Sequence, residues 1–125
     1  MRSIPVLMAV AALAACSDTN PDESALKAQF TPLNTERAFI EKVAGRNWQS
    51  DVIRVTFSAD GTLSGTINGV PGSGTWVWED TLFCSAFRIS DSGGQDCSEL
   101  RLRDRELLVV PLRGTGAPFV YTEVR

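Results

Sequence analysis

From Arg46 onward the chain alternates between apolar and polar side chains. Ile53, Val55 and Phe57 fall at every second position, with Arg54 and Thr56 between them, which is the period of a half-buried strand. Asp60-Gly61 follows, a pair that accepts the left-handed backbone of a tight hairpin. Leu63 and Ile67 continue the apolar face, Thr62, Ser64 and Thr66 lie opposite, and Asn68-Gly69 marks the next reversal. Pro71-Gly72-Ser73-Gly74 is expected to extend this turn into a flexible loop. Trp76 and Trp78 then share one strand face, with Thr75, Val77 and Glu79 on the other, until Glu79-Asp80 reverses the chain. Further strands are expected over 82–89, 97–103, 106–112 and 119–124, and 46–49 is a candidate first strand.

Seven or eight short strands at regular spacing predict a mainly β chain, an antiparallel meander. A flat sheet of that size would leave two edges and one apolar face exposed, so closure into a small barrel or curled sandwich is expected. Such a barrel has an interior wide enough for its own side chains or, at most, a small ligand. Ahead of the strands the period is helical. Phe39, Ile40 and Val43 form one stripe within 34–44, Asn34 or Thr35 can cap its start, and Gly45 can end it. This leading helix is expected to cover one end of the sheet.

The first 16 residues, MRSIPVLMAVAALAAC, place one positive charge before a short apolar run and then small residues. That is the order of a secretory signal, here 1–15, and the run is too short for a permanent membrane span of roughly 20 residues. Leu13-Ala14-Ala15-Cys16 resembles the lipobox of bacterial lipoproteins. The resemblance implies diacylglycerol on the Cys16 thiol, acyl chains such as palmitate, cleavage before Cys16 and membrane attachment through that residue. Ser17 rather than Asp after the cysteine favours the outer membrane, facing the periplasm, over the inner. Residues 17–29 are polar apart from alanines and Leu26, and 16–31 are expected to form a lipid-anchored tether, leaving 32–125 as a single domain.

Composition narrows the chemistry. The formal net charge is −3, losing Arg2 with the leader makes the remainder more acidic, and the basic residues are scattered, so nucleic acid is not an expected partner. The chain contains no histidine, which removes Ser/His and Cys/His nucleophiles and His-based zinc sites. Neither a metal nor another cofactor is expected. Cys84 and Cys97 lie in neighbouring strand candidates, and in an oxidising periplasm they are expected to pair as a structural disulfide, since a redox pair would call for the closer Cys-x-x-Cys spacing.

The run Gly74-Thr75-Trp76-Val77-Trp78-Glu79-Asp80, followed by Phe83-Cys84 and Asp96-Cys97, resembles a group of small secreted proteins of alphaproteobacteria, as do Ala44-Gly45-Arg46 and Phe57-x-x-Asp60-Gly61. The resemblance implies a little β-barrel with one disulfide and assigns no activity. Many of its members follow the first paired cysteine directly with arginine, whereas here Ser85-Ala86-Phe87 intervenes before Arg88. Some similar sequences carry the name dihydrodipicolinate reductase. This chain has no Gly-x-Gly-x-x-Gly after a first strand, no alternating strand-helix pattern and no room for a dinucleotide domain.

A noncatalytic envelope module is therefore expected, binding an envelope protein, peptidoglycan or a small apolar molecule, in the manner of a small-ligand carrier or of barrels that inhibit proteases or lysozymes. Trp48, Trp76 and Trp78 are the candidate ligand or partner surface if they face outward, and core if they face inward. The alternative is a hydrolase working with carboxylates alone, for which Glu79 with Asp80, or Asp91 with Asp96, are the candidates. Both pairs fall at expected turns, where acids usually serve as caps.

Overall fold

The computed structural model describes residues 21–89, 92–112 and 116–125. The expected signal 1–15, the expected acylation site Cys16, the start of the expected tether through Asn20, and Asp91 lie outside the described residues. Nine strands form one antiparallel sheet: β1 (Thr31–Leu33), β2 (Asn47–Gln49), β3 (Ile53–Phe57), β4 (Thr62–Ile67), β5 (Val70–Glu79), β6 (Leu82–Ile89), β7 (Ser92–Arg103), β8 (Glu106–Pro111) and β9 (Phe119–Val124). Strands β2 to β9 close into an eight-stranded barrel and β1 is an extra strand, so the expected β-barrel is the fold.

Closure runs through β9, which pairs with β8 on one side and β2 on the other. Strand β7 is the longest, and it changes neighbours along its length. Its first half pairs with β6 as far as Ser98, and its second half receives β1 on that same edge, Leu33 opposite Leu100 and Thr31 opposite Leu102. Thus β1 covers the backbone donors and acceptors that β6 leaves open where it turns back at Leu82.

The turns follow the signals in the chain. Asn68 and Gly69 have φ values of 53° and 82°, the left-handed pair that a two-residue hairpin needs. In the β3–β4 turn the Asp60 carboxylate accepts from the Thr62 hydroxyl at 2.7 Å and from the Thr62 amide at 3.0 Å. The hydroxyl bond first, and the amide after it, hold Asp60 below the usual carboxylate value.

Two expected loops are strand instead. Pro71 to Gly74 belongs to β5, and the β5–β6 ladder begins only at Ser73, so Pro71 sits beyond the end of that ladder, where a missing donor is tolerated. A Cβ on Gly65 would run into the Arg54 carbonyl, and one on Gly74 into that of Ala86. These glycines let neighbouring strands approach closely where the sheet coils into a small barrel. Likewise β7 starts at Ser92 rather than 97, with Gly93 at φ 142°.

Helix α1 (Pro21–Ala28) is a correction to the expected tether. It docks on the outer wall: Leu26 packs against the cluster of Phe30, Leu108 and Val110. Arg101 donates to the Lys27 and Phe30 carbonyls at 3.1 and 3.3 Å, tying the end of the helix and the residue beyond it to β7. Lys27 reaches Glu99 at 3.1 Å, and the Arg103 guanidinium stands 4.3 Å from the Phe30 ring centre. The composition of α1 is polar because only one side of the helix meets the barrel.

Helix α2 (Glu36–Lys42) is shorter than the expected 34–44. Thr35 is the N-cap, its hydroxyl accepting from the Ala38 amide at 3.1 Å. Phe39 and Val43, both fully buried, push into the barrel end where β3 finishes and β6 begins. The Phe39 ring lies 5.6 Å from Phe57, 4.8 Å from Trp76, 5.6 Å from Trp78 and 4.9 Å from Phe83. This end of the barrel is therefore plugged with aromatic rings.

Candidate functional site

Strand alternation decides which side chains enter the barrel. Ile53, Val55 and Phe57 point inward from β3, Phe83, Ser85 and Phe87 from β6, and Asp96, Ser98 and Leu100 from β7. They meet Leu107, Val109, Phe119 and Tyr121 from β8 and β9 around an open cup of about 210 Å³. The cup occupies the half of the barrel away from α2, and its floor is made by Phe57, Leu63 and Phe83, the upper surface of the aromatic plug. An interior that is filled at one end and open at the other is a consequence of α2 entering from one side only.

The cup wall is apolar except for one stripe. Ser85 stands opposite Asp96, and Phe83 opposite Ser98, across the β6–β7 ladder. Ser98 is buried at 8% exposure, and among the described residues no hydrogen bond engages its side chain. Tyr121 adds a fourth polar group two strands further round the wall. Burial pushes its phenol up to about 12, so the group on the wall is a neutral hydroxyl, able to donate and to accept.

The rim is apolar too. Val52, Val70 and Leu112 are each close to half exposed, and they precede β3, begin β5 and follow β8 at the open end of the barrel.

The three tryptophans stand elsewhere. Trp48 and Trp76 are core residues at 1% and 4% exposure, Trp78 is half-buried against the same cluster, and none of them lines the cup. Of the two arrangements expected for Trp48, Trp76 and Trp78, outward surface or inward core, the structure has the inward one. Trp48 Nε1 donates to the Val43 carbonyl at 3.0 Å and Trp76 Nε1 to the Ser58 carbonyl at 2.9 Å. Trp78 Nε1 is buried with no partner among the described residues.

Cys84 and Cys97 form the expected disulfide, between directly opposed residues of β6 and β7. With Glu79 they make a group of three potential metal-ligand atoms within 4.8 Å of one another, but the S–S bond occupies both sulfurs, and a metal takes thiolates. Of the paired carboxylates, Glu79 and Asp80 are exposed at the β5–β6 turn, with Asp80 at φ 57°. Asp96 is the one carboxylate lining the cup among the described residues, and its candidate partner Asp91 lies outside them.

Alternation would have located the polar stripe. Leu100 and Leu102 fix the inward parity of β7, and Ser98 and Asp96 share it; with 92–96 read as a loop, that parity ended too early. The chain matches no protein-family model, no curated protein and no solved structure.

Proposed function

We propose that this chain is a lipid-anchored module of the bacterial envelope that binds a small apolar molecule in its cup and does not transform it. The observation that carries the binding reading is the open, largely apolar cavity of about 210 Å³ in a barrel whose other end is plugged. Proteins of this size that need only a stable core fill it to the density of organic crystals. A cavity of ~150 Å³ is enough for benzene, so the cup has room for one ring with a short substituent, or a chain of similar bulk. The rim valines and Leu112 give such a molecule an apolar path inward. Attachment rests on the leader and on Leu13-Ala14-Ala15-Cys16, and Ser17 supports the outer membrane, with the domain in the periplasm.

Two measurements test the two parts. Palmitate should label the wild-type protein in cells and not Cys16→Ser; an unlabelled wild type removes the anchor. For the cup, 1-hexanol added to the mature protein should shift the methyl NMR signals of Ile53, Ile67, Leu107 and Val109. Val109→Phe, which fills the cup, should abolish those shifts. A wild-type spectrum indifferent to hexanol removes the binding reading.

A further inference from the structure

We infer that the cup selects a ligand with a hydrogen-bond-donating, positively charged head, a small apolar primary amine rather than a carboxylic acid. This deepens the cup-binding reading and rests on it. The polar groups of the cup are not scattered: Ser85, Asp96 and Ser98 lie together on the β6–β7 wall, in register as Ser85 with Asp96 and Phe83 with Ser98. The side chains facing them, from Ile53 and Val55 round to Val109 and Phe119, are apolar but for the neutral Tyr121 phenol. A charged head seated in the cup therefore finds its one ionic counterpart among the described residues, Asp96, on that wall.

The chemistry of the wall sets the head. A carboxylate only accepts hydrogen bonds, while serine hydroxyls donate or accept as required. Among the described residues, Asp96 has no ion pair: the acids engaged by cations are Glu99, Glu106 and Glu123. Among the described residues, no Lys or Arg lines the cup. An incoming carboxylate would meet the like charge of the exposed Asp96 with no cation among the described cup residues to offset it, whereas an ammonium places three donors against Asp96 and the two hydroxyls. Ser98 supports this independently, being more than nine-tenths buried and turned into the cavity with no side-chain hydrogen bond among the described residues. Its hydroxyl is left to donate to, or accept from, whatever occupies the cup.

The test uses three probes of nearly equal shape, 2-phenylethylamine, 2-phenylethanol and phenylacetate. Each is titrated calorimetrically into the mature lipidated protein in phosphatidylcholine nanodiscs, with empty nanodiscs subtracted. The amine should bind about tenfold more tightly than the alcohol, the scale of one charge-assisted hydrogen bond, and phenylacetate should bind weakest. Asp96→Asn should erase the amine's advantage and leave the alcohol unchanged, with Asp96→Ala as a second variant if the first misfolds. Ser98→Ala should weaken amine and alcohol alike. Equal binding of amine and alcohol, preference for phenylacetate, or a preference that survives the loss of Asp96 would each overturn the head selectivity while leaving the cup intact. Failure of all three probes would remove the cup reading as well.

Discussion

The indole of Trp48 reaches from β2 to the end of α2, where its Nε1 donates to the Val43 carbonyl at 3.0 Å. This single bond ties the plug to the barrel wall at a fully buried position, and it satisfies a carbonyl at the point where the helix stops.

Trp48→Phe should therefore cost about 2 kcal/mol more stability than Trp78→Phe, because the first leaves the Val43 carbonyl buried and unpaired while the second removes a donor that already lacks a partner. Urea unfolding of both variants checks this, and equal losses would mean that volume alone governs the cluster.

Phe39→Ala should be among the most damaging single changes, at about 3–5 kcal/mol, since this ring touches four other aromatic rings. It should also join the vacated space to the cup floor through Phe57 and Phe83, so that bulkier apolar probes bind. A thermal melt together with a probe-size series reads both effects.

Tyr121 makes stability fall at alkaline pH. Its phenol stands at about 12 against an ordinary 10, so the folded chain holds this proton more tightly than the unfolded one. The contribution is complete below pH 10 and is lost as pH rises towards 12. Tyr121→Phe should flatten that part of the stability profile, measured by denaturation at stepped pH. A profile unchanged by the substitution would show that the phenol does not set it.

Removing the disulfide should weaken the barrel without dismantling it. Cys84 and Cys97 close a separation of 13 residues, worth about 3 kcal/mol on a loop-entropy estimate, yet the β6–β7 ladder continues on either side of the bridge. Cys84→Ala with Cys97→Ala should lower the melting temperature and keep the β-sheet circular dichroism.

Much of this fold is legible in the chain because each strand has to satisfy a period of two against one interior. Asp60-Gly61 and Asn68-Gly69 mark true reversals, Phe39 and Val43 mark the buried side of α2, and the two later cysteines meet. What the local pattern does not convey is which neighbours close the sheet. Thr31-Pro32-Leu33 is strand only because β7 outruns β6 and leaves an edge to cover, a long-range circumstance invisible in three residues. Helix α1 had local signals, with Pro21 first, acids at Asp22 and Glu23, and Lys27 late, but its apolar share is Leu26 with Phe30 beyond its end. The candidate site shows the same division. Alternation puts Trp76 and Trp78 on one face and says nothing of whether that face is the plugged half or the open one, which α2 decides.

Because α1 is fastened to the barrel wall, the chain between it and the proposed anchor shrinks to Ser17, Asp18, Thr19 and Asn20. Five Cα steps at ~3.6 Å each reach at most about 18 Å. With Cys16 acylated, the domain is moored on a short line: one flank always lies beside the lipid headgroups, and the barrel cannot search far into the periplasm. On that proposed mooring, whatever enters the cup would come to the bilayer, or out of it.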